Sequence, residues 1–218
     1  MSQQDDKKIL LEDTISQGIS HLRNINPNFN AVVDQIGEIE FKKRDVTFES
    51  LIRIIINQQL SNTVAKVIFE RLENIFPNTP NTNGISPSQI HIMDSEKLKS
   101  IGLSKGKVNY IKSLSTEFIA NPNLVNEWTD LDDDSAISEI QKMKGFGPWS
   151  ANIILLSFMG RSDIFPYGDA TLRKAYLNIY GSKLSETLEE IEWARPYRGI
   201  LALYFWRWVD NGMKPLFN

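Results

Sequence analysis

The chain has 218 residues, 41% hydrophobic and 23% charged, enough to bury a core in one compact body or two small subdomains. It has no cysteine, which excludes disulfides, thiolate metal sites, iron–sulfur clusters and a cysteine nucleophile. A formal net charge of −3 offers no global attraction for a polyanion, so any nucleic-acid contact must come from local arrangement. The two histidines, His21 and His91, lie in helical patterns without a His partner at metal spacing and read as structural or surface residues. The opening "MSQQDDKKIL" is polar and acidic, unlike a signal or transit peptide, and the longest apolar run, "IILLSFM", is too short to cross a bilayer. A soluble intracellular protein is expected.

In chain order the pattern is helical nearly throughout. "ILLEDTISQGISHLRNI" and "NFNAVVDQIG" carry apolar residues at three- and four-residue spacing, the second stopped by Gly37. "EIEFKKRDV" is ambiguous and could be extended. "TFESLIRIIINQQLSNTVAKVIFERLENIF" reads as two helices broken around residues 58 to 62. Three prolines with several Asn and Thr residues make 77 to 88 a loop, and "SPSQIHIM" and "DSEKLKSIG" read as short helices with Ser or Asp caps. "SKGKVNYIKSLSTEFIA" is a further helix, and "NPNLVNEW" follows a proline turn. The acidic run "DLDDD" at 130 to 134 is better read as negative charge at the positive end of the helix "DSAISEIQKM" than as a metal site. There is no repeat of fixed period and no strand-turn-strand pattern. The expected fold is all-α.

The stretch that calls for a function is "MKGFGPWSANIILLSFMGRSDIFPYGDATLRKAY", residues 143 to 176. Gly145 and Gly147 permit a tight turn between two helices, and Pro148 suits the first position of the second. A turn without side chains, followed by the unpaired amides of a new helix, can hold an anion such as a DNA phosphate with little basic charge. An ordinary helix–turn–helix corner explains the same residues equally well. Asp169, between Gly168 and "ATLRKAYLNIYG", is placed to cap a helix that Gly181 ends. Capping does not exclude chemistry, since a fixed carboxylate can stabilise a developing cation or orient a water. No Ser-His pair, second carboxylate at a catalytic spacing or phosphate loop is visible elsewhere.

"EIQKMKGFGPWSANIILLSFMGRSDIFPYGDATLRKAY" resembles the hairpin and Gly/Pro-Asp signature of the helix–hairpin–helix (HhH-GPD) DNA glycosylase superfamily, with 3-methyladenine DNA glycosylase II as the nearest branch. "FESLIRIIINQQLSNTVAKVIFERL", "KLKSIGLSKGKVNYIKSLS" and "ARPYRGILALYFWRW" are similar to its early, middle and closing helices, in the family's order over about residues 18 to 210. The resemblance implies two helical subdomains flanking a cleft, about 1–46 with 164–218 and about 47–163, the second holding the hairpin at 140–152. Members that also cut the backbone carry a lysine two residues after the second hairpin glycine, where this chain has Trp149; Lys142 and Lys144 are at other motif positions. The branch with a four-cysteine cluster is excluded.

The activity implied is monofunctional: flipping an alkylated purine such as 3-methyladenine from double-stranded DNA and hydrolysing its N-glycosidic bond in base excision repair. Asp169 would be the catalytic carboxylate. Trp149, Trp206 and, less closely matched, Tyr167 would form the base pocket, with Phe165, Tyr197 and Trp208 as packing residues. Gln58, Gln59 and Leu60 would be the wedge, unless Leu60 is core. Gly145, Phe146, Gly147 and Ser150 would contact the DNA backbone through the hairpin, and Lys105 and Lys107 would add phosphate contacts or face solvent. Main-chain carbonyls of Gln141, Met143 and Phe146 would hold a monovalent cation, Na⁺ or K⁺, with no other cofactor required. A monomer is expected. Two other readings remain, a non-catalytic binder of abasic or distorted DNA that keeps the fold and a helical protein–protein module.

Overall fold

The computed structural model describes residues 3–39, 44–76 and 84–216. Among them there are α-helices and short tighter or wider turns of helix, and no strand. The ambiguous "EIEFKKRDV" falls partly outside the described residues, as does most of the expected loop from 77 to 88. No helix among the described residues is long and apolar enough to cross a membrane.

Two compact units result, Met1–Arg44 with Asn152–Asn218, and Asp45–Ala151. The first holds α1 (Gln3–Ile25), α2 (Pro27–Ile36), α11 (Ala170–Tyr180) and α12 (Arg198–Asp210). The second holds α3 (Phe48–Asn57), α4 (Asn62–Ile75), α5 (Pro87–Ile92), α6 (Ser95–Ser100), α7 (Lys105–Ala120), α8 (Leu124–Thr129) and α9 (Asp133–Gln141). The later boundary falls inside α10 (Pro148–Ile153), against the 163 expected from sequence. The reason is packing. Leu156, Ser162 and Ile164 crowd around Gly199 at the start of α12, which draws the whole segment into the first unit.

Local sequence sets the helix starts. Asn26, Thr47, Ser61, Ser86, Asp94, Ser104 and Asp132 each accept a main-chain amide of the first turn that follows, satisfying donors with no partner inside the helix. The acidic run supplies a cap. Asp132 takes the Ser135 amide at 2.9 Å, and no group of three or more His, Cys, Asp or Glu among the described residues could hold a metal ion. His91 lies 3.4 Å from the Thr116 hydroxyl and His21 packs against the Tyr197 ring.

In the second unit α7 is the central element, packing on α3, α5 and α6. The buried face of α3 supplies Leu51, Ile52, Ile55 and Ile56, and α7 answers with Val108, Ile111 and Leu114. Cationic side chains satisfy carbonyls at helix ends: the Lys112 ammonium binds those of His91 and Met93 after α5, and Arg71 binds Ile101 after α6.

In the first unit α12 is central, packing on α1, α2 and α11. Tyr204 and Phe205 are fully buried, Tyr204 edge-on to Phe29 at 5.3 Å. Trp208 is likewise packing, its indole N–H donating to Gln35 at 2.8 Å. A turn of wider helix, Ile154–Phe158, continues α10, with the Met159 amide bonded to the Ile154 carbonyl.

Gly199 in this unit is hemmed in by backbone as well as by side chain. A Cβ there would sit 2.6 Å from Leu156 Cδ1 and 2.7 Å from the Ser162 carbonyl oxygen. Gly199→Ala is therefore expected to destabilise the protein by about 1–3 kcal/mol through overpacking, read as a lower urea midpoint. An unchanged midpoint would mean the contact relaxes freely.

Candidate functional site

The hairpin lies between α9 and α10. Its chain reverses at Gly145, whose φ of +90° is left-handed. A Cβ there would fall 2.5 Å from Tyr110 Cγ on α7, so both conformation and space require glycine. Gly147 differs. Its φ is not positive and an added Cβ would meet nothing within 4 Å, so the fold itself does not demand glycine. What the missing side chain leaves is main chain open to close approach from outside.

Several sequence-derived roles change with the side chains in view. Phe146 is 3% exposed and Ser150 2%, so neither side chain faces outward. Gln58 does not project outward. Its amide donates to the Gly145 carbonyl at 2.6 Å and to the Ser150 hydroxyl at 3.1 Å, a strut from the turn after α3 to the hairpin. Lys107 is also engaged within the chain. Its ammonium donates to the carbonyls of Ile56 at 2.7 Å and Gln58 at 2.8 Å, closing the end of α3, and burial lowers its pKa from the ordinary lysine value. Lys105, two residues earlier, is exposed.

The turn braced in this way presents Gln59 and Leu60. Gln59 has a φ of +58° and is exposed; Leu60, for which a core position was an alternative, is 37% exposed. Leu60 thus stands exposed next to a residue in the left-handed region.

Asp169 caps α11. Its Oδ1 accepts the Thr171 amide at 2.9 Å and the Leu172 amide at 3.1 Å, and its own amide donates to Pro166. The carboxylate is half-buried and fixed by main chain at the positive end of a helix. In the same unit Tyr167 and Trp206 are half-buried, with the Arg173 guanidinium 5.6 Å from the Tyr167 ring centre. Trp149, in the helix that opens at Pro148, is half-buried too. Phe165 is buried core and Tyr197 packs on His21.

For a cation, the hairpin offers main-chain oxygens at Gln141, Met143 and Phe146. Neutral hard oxygens suit an alkali ion rather than a transition metal. The Met143 carbonyl also accepts the Phe146 amide at 3.1 Å, which leaves it one lone pair.

Sequence reasoning missed the Gln58 strut and the Lys107 brace. Their partners lie 87 and 49 residues away, and no local pattern announces such pairs.

Comparison with known proteins agrees with this geometry. The family profile described as "HhH-GPD superfamily base excision DNA repair protein" matches residues 52–196. DNA-3-methyladenine glycosylase 1 of Schizosaccharomyces pombe is 26% identical over 196 residues, covering 86% of this chain and 84% of the relative. Among solved structures, the S. pombe 3-methyladenine DNA glycosylase in complex with abasic DNA aligns with a TM-score of 0.81 at 24% identity, over 91% of this chain and 99% of that one. An 8-oxoguanine glycosylase/lyase of Clostridium acetobutylicum aligns with a TM-score of 0.75 at 17% identity, over 91% and 71%. At these identities the structural matches establish the fold, which is shared by a protein whose name includes a lyase activity.

The two lysines at the start of α7 are expected to behave differently. Lys107→Met should lower stability by about 1–3 kcal/mol, because two carbonyls lose a charged donor. Lys105→Met should leave the urea midpoint where it is. Equal effects would remove the brace.

Proposed function

Because the chain belongs to the HhH-GPD superfamily of base excision DNA repair proteins, we propose that it is a DNA glycosylase of the 3-methyladenine type, which removes alkylated purines from double-stranded DNA by hydrolysis and has no lyase activity. The observation that carries this reading is the cap at α11: a carboxylate held by two amides, on the same unit as the half-buried rings of Tyr167 and Trp206.

A base inside a duplex cannot be reached, so the nucleotide must be extruded at a cost of a few kcal/mol. Leu60, exposed on its braced turn, is the group to fill the vacated space, with Gln59 beside it. Each half-buried aromatic, Trp149, Trp206 and Tyr167, offers a face on which a base stacks, worth about 1–3 kcal/mol. An alkylated purine already carries positive charge and departs readily, so the chain needs no strong general acid. As the N-glycosidic bond breaks, its electrons leave with the base and positive charge grows on the sugar. Asp169 stabilises that charge and orients the water that adds to the anomeric carbon; free base and an abasic site are the products.

The net charge of −3 accords with binding through main chain rather than a basic surface. The open backbone at Gly147 and the amides that begin α10 would take a phosphate. A Na⁺ or K⁺ on the hairpin carbonyls would supply local positive charge there.

Two outcomes test the chemistry. Asp169→Asn keeps a capping side chain, so the fold should hold, while excision of a methylated purine falls by roughly two orders of magnitude or more. A folded variant with wild-type excision would leave Asp169 as a cap alone. Borohydride should trap no covalent adduct, and strand breaks should appear only after alkali or heat, because Trp149 stands where a Schiff-base lysine would be. Efficient trapping would overturn the hydrolytic assignment. For binding, Lys105→Met should reduce the slope of log K against log salt by about one, and Lys107→Met should not. A protein–protein module would give no salt-dependent affinity for DNA at all.

A further inference from the structure

The segment that delivers Asp169 runs from Gly160, with a φ of +74°, to the start of α11. It has no regular structure of its own to fix it. It is tied instead to the first turn of α12. The Ser162 carbonyl accepts the Gly199 amide at 2.7 Å. The Asp163 carboxylate takes a two-pronged grip from Arg198: Nε to Oδ1 at 2.9 Å and Nη2 to Oδ2 at 2.9 Å. Nη2 also donates to the Asp163 carbonyl at 3.1 Å. Arg195 lies 3.5 Å from Asp163 Oδ2, and Glu192 balances both arginines from the other side. The pair is mostly enclosed, with Arg198 12% and Asp163 20% exposed.

Between this grip and Asp169 the chain has little freedom. Ile164, Phe165 and Pro166 are buried, the Tyr167 amide turns back on Phe165, and the Asp169 amide turns back on Pro166. Arg198 begins α12, which also carries Trp206. A planar guanidinium bonded at two points fixes orientation as well as distance, which a lysine ammonium cannot do.

We propose that Asp163 and Arg198 are positioning residues for base excision: their paired bonds hold the segment bearing Asp169 in register with the first turn of α12. The proposal rests on Asp169 being the catalytic carboxylate. Reactions of fixed groups are sensitive to placement, and an error of 1 Å costs about 10²-fold.

The test is the single-turnover rate of methylated-base release from methylated duplex DNA, with enzyme in excess, alongside affinity for a duplex containing an abasic analogue. Arg198→Lys keeps the charge and the stem but loses the fork. It should slow excision by about 10²-fold with affinity unchanged, and Asp163→Asn should do the same. In an Asp169→Asn background neither change should slow the reaction further, because each acts through that carboxylate. A structural role would instead multiply the losses. The proposal is overturned if folded Arg198→Lys excises at the wild-type rate, if its loss lies wholly in affinity, or if the losses multiply. If Asp163→Asn fails to fold, Arg198→Lys decides; if that also fails to fold, the pair serves folding alone. Wild-type excision by Asp169→Asn by itself would bring down the underlying reading instead, and would be recognised without either clamp variant.

Discussion

The proposed chemistry depends on how a lone carboxylate is held. Asp169 has two main-chain amides on one oxygen, at the end of a helix whose free amides favour negative charge. Amides favour the ionised form of the carboxylate and fix its orientation. Such preorganisation is effective because the donors need not reorganise during reaction. In the proposed reading the cap and the catalyst are one structure, and a helix start that looks routine in sequence is the place where charge is fixed.

The same economy runs through the rest of the chain. Several cationic groups are spent on the fold: Lys107, Lys112 and Arg71 each satisfy carbonyls at a helix end, and Arg198 is enclosed against Asp163. In a protein of net charge −3, this use of cations accords with the proposed contact to a polyanion through main chain. Gly147 fits that need, since nothing within the protein would obstruct a side chain there. Gly145 answers a different need, the close approach of Tyr110 and a left-handed backbone. Two glycines one residue apart serve unlike purposes.

Much of this was legible in the sequence where physics is local. Caps such as Ser86, Asp94 and Asp169, the break after Asn57 and the stop at Gly181 follow from side chains acting within a turn or two. The long-range ties were not legible. Gln58 was read as part of the wedge and Lys107 as facing phosphate or solvent, yet each is bonded inside the second unit. Polar residues on a helix start or turn carry no mark that tells a strut from a contact. The burial of Ser150 was hidden for the same reason, since its partner Gln58 lies 92 residues away.

Incubating the protein with methylated duplex DNA and separating free bases from the polymer is the most direct measurement of the central claim. The account predicts release of methylated purines, including 3-methyladenine, with strands that stay intact until alkali is added. Salt-sensitive binding to the same DNA with no base released would contradict it and leave a binder that keeps the fold.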